Sequence, residues 1–473
     1  VNNRVSNYPL NPIQENTTIN TVWSIILKLK QRKAPGPDQI TNSLIKLLPI
    51  SGLTFLTNII NAILVTAHFP TSWKIATIKL IPKPNKPQHL PENRRPISLL
   101  PCLSKIAERV ILEKFRPHFE QHIPPEQTGY KRGISTTHAL ARLIEYLHEH
   151  YQSRQPPRVV FLDLDKAFDK VDHQTLIHTM YNKRIPIAWI KLMQSYLHNR
   201  AFHIRIGNTT STTHYMTAGV PQGSILGPFL FLIHTCNIPQ PQQNHGLTMA
   251  YVDDIITAST GRLVNRQLQT QLSDITGWAR EHNIGINPRK CQAICMKTRT
   301  IPPPPTVLGQ NIPFQANVTY LGITINRKLS LSPHINTLKR KGAALTKMSK
   351  AFSSGHHSTA IRLYKQIVRP TLEYAAPILQ PLSRNLQRKL RTAHTNNLKR
   401  LLNIPIRSPT THLLEEVQIE EPTARHNQAH AKFFKKCWEA DDPLSEAIMK
   451  ERWIHLRRKK SPVDLWLEEN DPG

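Results

Sequence analysis

The chain has 473 residues, and 62 basic against 31 acidic residues give it a formal charge of +31. That excess points to a polyanion, above all nucleic acid, because the basic residues spread along the chain and form no juxtamembrane cluster. Hydrophobic content of 39% fits a folded core of roughly two to four domains, and the composition speaks against a membrane-embedded or secreted class.

In chain order, "RKAPGPDQI" (32–40) reads as a rigid turn between helical patterns. "GLTFLTNIINAILVTAHFP" (52–70) is broken by Thr54, Thr57, Asn58 and Asn61, so it reads as a buried or amphipathic helix and not a membrane span. "IPKPNKPQHLPENRRPISLLP" (81–101) carries too many prolines for one helix. "ALARLIEYLHEHY" (139–151) puts Leu140, Leu143, Ile144, Leu147 and Tyr151 on one helical face. "RVVFLDLD" (158–165) is a short apolar strand ending in acids, followed by helical patterns over about 173–183 and 187–199. "FHIRI" (202–206) alternates as a strand, with Phe202, Ile204 and Ile206 on one face.

"LTMAYVDDIITA" (247–258) reads as a hairpin with its acids at the turn, and 263–283 as a helix with Leu268, Leu272, Ile275 and Trp278 on its apolar face. "IPPPPTVLG" (301–309) is a stiff connector, and "VTYLGITIN" (318–326) is strand. Beyond about residue 333 the chain is helical and basic. Strands and helices are grouped, not alternating, which makes the fold α+β. There is no secretion signal, and five cysteines fit reduced structural thiols in an intracellular protein. His426, His430 and Cys437 match no common zinc spacing.

Asp163 follows the apolar run Val159–Leu162, and Asp253 and Asp254 follow another. If the two strands are neighbours, three carboxylates meet at one end of a sheet, where they repel unless a cation neutralises them. Oxygen-only ligands favour a hard cation such as Mg²⁺, and two such ions about 4 Å apart suit nucleotidyl transfer. The spacing alone does not settle the ligands. "FLDLDKAFDKVDH" (161–173) holds further acids; Asp165 and Asp169 read as solvent-facing acids or helix caps, and Asp172 as an N-cap. On its own, the Val-Asp-Asp hairpin reads more readily as a bland turn than as a metal site.

Taken in order, the motifs resemble the reverse transcriptase of non-LTR (LINE-type) retrotransposons, the Jockey group most. "KAPGPDQI" (33–40) resembles the amino-terminal motif of this class. "WKIATIKLIPKPNK" (73–86) and "NRRPISLLPCLSKIAERVI" (93–111) resemble the two fingers motifs, and "QTGYKRGISTTHAL" (127–140) the segment before the palm. "FLDLDKAFDKVDH" is similar to motif A, "GVPQGSILGPFLF" (219–231) to motif B, "AYVDD" to motif C and "GWAREHNIGINPRKC" (277–291) to motif D. "VTYLGITINRKLS" (318–330) is similar to the primer grip and "LYKQIVRPTLEYAAPIL" (363–379) to the thumb segment.

The resemblance implies a right-hand polymerase. Its fingers with an N-terminal extension fall over 1–150, a palm with an antiparallel sheet over 151–330, a helical thumb over 331–430 and a basic C-terminal tail over 431–473. It implies that Asp163, Asp253 and Asp254 are catalytic and hold two Mg²⁺ ions, with Mn²⁺ as a substitute, and that Lys290 is the general acid for the pyrophosphate. Leu164 would share in metal binding through its carbonyl. Phe168 would exclude a ribose 2′-hydroxyl, Gln222 and Gly223 would line the nascent base pair, and Arg95 and Lys83 would hold the triphosphate, with Lys79 and Lys86 as rivals to Lys83. Leu321 and Gly322 would form the primer-grip turn. Basic helices at 338–352 and 384–400, the first with Leu338, Leu345 and Met348 on an apolar face, would touch backbone phosphates.

Motif C carries Val252 where the family more often has Ala, a residue expected to suit a strand. The implied partners are an RNA template, a DNA primer or nicked target DNA, and dNTPs, with no membrane, in the nucleus and cytoplasm. A start at Val1 and the lack of endonuclease motifs suggest that an upstream endonuclease domain belongs to a longer product. The competing expectation is an inactive, nucleic-acid-binding remnant of a decayed element.

Overall fold

The computed structural model describes residues 12–84, 86–153, 155–242, 246–297, 300–353, 356–450 and 460–470. In chain order its main elements begin with α1 (Ile19–Leu27), α2 (Ile50–Thr66), β1 (Ile75–Pro82), β2 (Arg94–Leu99), α3 (Cys102–Phe119), α4 (Thr136–His150) and β3 (Arg158–Asp163). There follow α5 (His173–Asn182), α6 (Ile187–Leu197), β4 (Ala201–Ile206), α7 (Gly227–His234), β5 (Leu247–Tyr251), β6 (Asp254–Ser259), α8 (Val264–Glu281) and β7 (Gln292–Cys295). A hairpin, β8 (Asn317–Tyr320) and β9 (Ile323–Asn326), precedes α9 (Ser332–Ser353), α10 (Arg384–Leu401), α11 (Pro422–Trp438), α12 (Pro443–Met449) and α13 (Pro462–Asn470).

The described residues fall into two compact units. One comprises the chain up to Tyr130 with Leu164–Pro239 and Ile275–Asn287; the other comprises Lys131–Asp163, Gln240–Asp274 and the chain from Pro288 on. In the first, β1 pairs antiparallel with β2 and parallel with β4. Of the prolines in 81–101, Pro84, Pro87 and Pro91 fall between the strands of the β1–β2 hairpin, Pro82 ends β1, and Pro96 lies within β2 opposite Leu80, a place open to proline because β2 is an edge strand. Ala76, Ile78 and Leu100 are buried, with Leu80, Phe202 and Ile204 packed against them, while Ile206 at the strand end stays exposed. Along α3, Ile106, Val110, Ile111 and Phe115 are buried, a 3.6-residue stripe.

The second unit is built on an antiparallel sheet in the order β5-β6-β3-β7. Leu140, Leu143 and Leu147 of α4 share one core with Val159 and Phe161 of β3, Met249, Ile256, Ile294 and the β8–β9 side chains Val318, Tyr320 and Ile323. α4 therefore joins the strands it was expected to precede as part of the fingers, because its apolar stripe is buried in their core. The expected basic tail also differs. Phe434 and Cys437 of α11, Leu444 and Ile448 of α12, and Val463 and Trp466 of α13 enter that same core. Residues 1–11 of the expected N-terminal extension, and 451–459 and 471–473 of the tail, lie outside the described residues.

A second apolar cluster in this unit joins Ile335 and Leu338 of α9, Val368 and Leu372, and Leu390 and Leu398 of α10. On α9, Lys339, Arg340, Lys341, Lys347 and Lys350 are exposed. Met348, expected on the apolar face, is 65% exposed and belongs to the solvent side instead. The imagined zinc ligands do other work. The His426 ring sits edge-on to His394 at 5.9 Å, His430 shares a 2.7 Å hydrogen bond with the Pro377 carbonyl, and Cys437 is a core thiol. Among the described residues no three His, Cys, Asp or Glu side chains form a group that could hold a metal by ligand geometry. No described helix is long and apolar enough to cross a membrane.

Candidate active site

β3 is an interior strand, which explains its unbroken Val159–Leu162 run: both faces are covered. Its antiparallel register with β6 pairs Arg158 with Ser259 and ends with Asp163 opposite Asp254. Residues directly opposite in such a ladder point to the same face, about 5 Å apart at Cβ. On the other side, β3 pairs Arg158 with Cys295 and Phe161 with Gln292. The same register continued two residues sets Lys290 opposite Asp163, and its ammonium lies 3.1 Å from Asp163 Oδ2. Both partners are well exposed, so the pair adds little stability; it places one positive charge against the acids.

The β5–β6 hairpin closes with Tyr251 opposite Asp254, leaving Val252 and Asp253 as a two-residue loop. Val252 has φ +62 and is 8% exposed. It is therefore not the strand residue that its β-branch suggested. Positive φ at the first loop position is the II′ hairpin pattern, where Gly is usual, and a β-branched residue there is strained by roughly 1–3 kcal/mol. The burial of its side chain offsets that cost.

Asp254 records the crowding. It keeps contact with solvent, yet burial of its carboxyl, then the charges of Asp253 and Asp163, push its pKa up to about 6. An aspartate without these neighbours ionises near 3.8, so between about pH 4 and pH 6 the folded chain holds a proton that the unfolded chain has lost. Stability falls as pH rises through that window and stays lower above it, by an amount that solvent screening reduces. With a chelator present, the melting temperature of the parent is expected to fall relative to Asp254→Asn across this window. Parallel pH curves for the two proteins would show that Asp254 is not strained by its neighbours.

The β8–β9 hairpin turns through Leu321 (φ +42) and Gly322 (φ +83), between the closing pair Tyr320 and Ile323. Asp163, Asp254, Lys290, Tyr320 and Leu321 line one small pocket. The structure thus gathers Asp163, Asp253, Asp254, Lys290, Leu321 and Gly322 in the second unit.

The remaining predicted residues are gathered in the first unit. Phe168, on the 3₁₀ turn Ala167–Lys170, stacks on Phe231 with ring centres 4.7 Å apart. Its carbonyl accepts the Val220 N–H at 2.8 Å. Gln222 donates its side-chain amide to Asp169 Oδ1 at 2.8 Å, and its carbonyl accepts the Ser98 N–H at 2.7 Å. Gly223 has φ +122, and a Cβ there would sit 2.7 Å from the Ser98 carbonyl oxygen, so only Gly lets this loop lie against β2. Lys83 donates to the Glu92 carbonyl at 2.9 Å, and Arg95 is exposed on β2 opposite Ile81. Leu164 is buried and bridges to Ile286.

Two acids play parts that the sequence did not reveal. Asp169 is exposed, as expected, but it also holds Gln222, and partial burial of its carboxyl raises its pKa against the lowering effects of the Gln222 hydrogen bond and the Lys166 and Lys83 charges. Asp172 does cap α5, accepting the Thr175 N–H at 2.7 Å. Glu108, fully buried on α3, accepts from Ser104 Oγ, Tyr196 Oη and the backbone N–H groups of Ile225 and Leu226 at 2.7–3.2 Å. It holds the loop that carries Gln222 and Gly223. The available signal was a charged residue on an otherwise apolar stripe, with Ser104, Ile111 and Phe115.

Comparison with known proteins bears on the family of the chain. The family described as Reverse transcriptase (RNA-dependent DNA polymerase) matches residues 81–325. Three Drosophila melanogaster proteins are similar. One, named "Probable RNA-directed DNA polymerase from transposon BS", is 30% identical over 89% of this chain and 48% of its own length. The second, "Probable RNA-directed DNA polymerase from transposon X-element", is 34% identical over 76% of this chain and 41% of its own. The third, "RNA-directed DNA polymerase from mobile element jockey", is 31% identical over 82% and 44%. The chain spans a little under half the length of these relatives.

Proposed function

The chain belongs to the reverse transcriptase family, and from that premise we propose that it is the RNA-directed DNA polymerase portion of a Jockey-like non-LTR element. It would extend a primer 3′-hydroxyl with dNTPs on an RNA template, at nicked target DNA. The observation that carries this reading is the register of β3 between β6 and β7. It brings Asp163 and Asp254 face to face beside the Asp253 loop, with Lys290 against them.

The donor chemistry suits a hard divalent cation, since the candidate ligands are carboxylate oxygens and the Asp253 and Asp163 charges add to burial in raising the Asp254 pKa. The three side chains do not already stand as a closed metal-holding group, so this reading has the ion draw them together. Asp163, Asp253 and Asp254 would hold Mg²⁺, two ions in this reading and Mn²⁺ as a substitute, with the Leu164 carbonyl as a further ligand. Bound there, the ions would activate the 3′-hydroxyl and stabilise the leaving pyrophosphate.

The protein's own groups do the rest. Lys290 carries the proton for the pyrophosphate, and its present bond to Asp163 keeps its charge at the acids. Lys83 and Arg95 hold the triphosphate. Phe168, braced on Phe231, blocks the 2′-position of a ribonucleotide. Gln222 and Gly223 support the nascent pair, and Leu321 and Gly322 the primer. The exposed basic face of α9 grips backbone phosphates. An upstream endonuclease in the full-length product would supply the nick, and the work would take place in the nucleus after synthesis in the cytoplasm.

An inactive remnant is disfavoured, since all three aspartates are present, with Asp163 and Asp254 in register and Asp253 in the adjoining loop. The deciding measurement is primer extension on an RNA template by the purified chain with dNTPs and Mg²⁺. Template-length DNA is expected; no product with either Mg²⁺ or Mn²⁺ would overturn the catalytic reading.

A further inference from the structure

We propose that Tyr374, from the helical segment after α9, is the positioning residue that sets the Leu321–Gly322 turn relative to the catalytic hairpin. This rests on reading that turn as the primer grip. The β8–β9 hairpin is a two-stranded sheet of its own, paired over four residues a side. Such a ribbon is marginal alone and needs an outside hold to fix its tip. Tyr374 supplies one at the tip itself: its hydroxyl donates to the Leu321 carbonyl at 2.6 Å. A Cβ on Gly322 would come within 3.1 Å of the Tyr374 ring. The glycine thus serves both the left-handed turn and the close approach of the ring.

Tyr374 is itself held firmly. Its neighbour Glu373 is gripped by Arg425 of α11 through two bonds, 2.5 and 3.0 Å long, a planar fork that fixes orientation. The Tyr374 hydroxyl also lies 3.4 Å from Thr136 Oγ1, at the start of α4. Tyr251, which closes the catalytic hairpin against Asp254, packs on the same apolar core as Tyr374 and Leu321. One ring therefore ties together the grip turn, α4 and the α11 ion pair, on the core that also seats the aspartates. A displaced primer terminus is costly, since about 1 Å of misplacement can cost roughly 100-fold in rate.

The test uses the full chain, a defined RNA template with a DNA primer, and the variants Tyr374→Phe and Gly322→Ala. Phe keeps the ring and loses the bond to Leu321 together with the longer contact to Thr136. Tyr374→Phe is expected to lower kcat about tenfold, with KM for dNTP and the duplex Kd within about twofold and the melting temperature nearly unchanged. Unchanged kcat in Tyr374→Phe, or a loss of kcat that merely follows a lowered melting temperature, would overturn the assignment. Gly322→Ala separates the two levels. If it leaves extension intact, the primer-grip reading fails. If it cuts extension while Tyr374→Phe does not, the grip stands and the role of Tyr374 fails.

Discussion

Asp253→Asn is expected to lower RNA-templated primer extension by roughly 1,000-fold, the scale of about 4 kcal/mol of lost charge stabilisation, while leaving the fold intact. Asn keeps the size and shape of the side chain and removes one of the negative charges that raise the Asp254 pKa. The substitution relieves repulsion, so the melting temperature should hold or rise slightly. Template binding should hold as well, since a protein of charge +31 loses one acid and no phosphate contact. Extension, melting temperature and duplex Kd measured together make the result specific. Activity comparable to the parent would remove Asp253 from the site, and a collapse of the melting temperature would recast it as a structural residue of the loop. Lys290 cannot compensate, because its ammonium is engaged with Asp163 and a cation cannot stand in for a carboxylate ligand.

The β-strands that carry the acids were legible because their patterns are local. Four apolar residues before Asp163, and the apolar and β-branched runs on either side of Asp253 and Asp254, define strand and turn without reference to the rest of the chain, and α8 shows its face by periodicity alone. What the sequence withheld is set by partners far away in it. Glu108 meets Tyr196 and Ile225 across 88 and 117 positions, and Tyr374 meets Leu321 across 53. Neither pairing leaves a local trace beyond an acid on an apolar stripe. Val252 misled because strand propensity describes a side chain's fit to a sheet, whereas the closing pair Tyr251–Asp254 puts it in the loop. The chain from 431 on reads as a tail in the sequence because Lys and Arg crowd between its core residues. Phe434 and Cys437 still fall on one face, but basic neighbours dilute the stripe. Met348 failed the other way: helical spacing alone does not say which neighbour is there to cover it.

Glu108→Ala is expected to destabilise the chain by about 4 kcal/mol and to raise KM for dNTP several-fold. The carboxylate is fully buried, and one oxygen, Oε2, accepts from Tyr196 Oη and from the Ile225 and Leu226 N–H groups. Ala leaves those donors buried without a partner, at about 1–3 kcal/mol for each group that water cannot reach. The N–H groups of Ile225 and Leu226 sit just past Gly223, at the entry to α7, so the loop that presents Gln222 would loosen with them. Glu108→Gln is the informative companion. An amide oxygen in the place of Oε2 still accepts all three donors, and the amide nitrogen can donate to Ser104 Oγ, which lies 3.1 Å from Oε1. Gln should therefore restore most of the stability and of the dNTP KM, losing only the extra strength of charge-assisted bonds. Denaturant unfolding and steady-state extension at a temperature where all three proteins are folded would check both halves. If Gln proves as damaging as Ala, the negative charge and not the acceptor geometry is what this pocket needs. If Ala melts with the parent, the loop holding Gln222 and Gly223 draws its order from its contacts with Ser98, Asp169 and Phe168 instead.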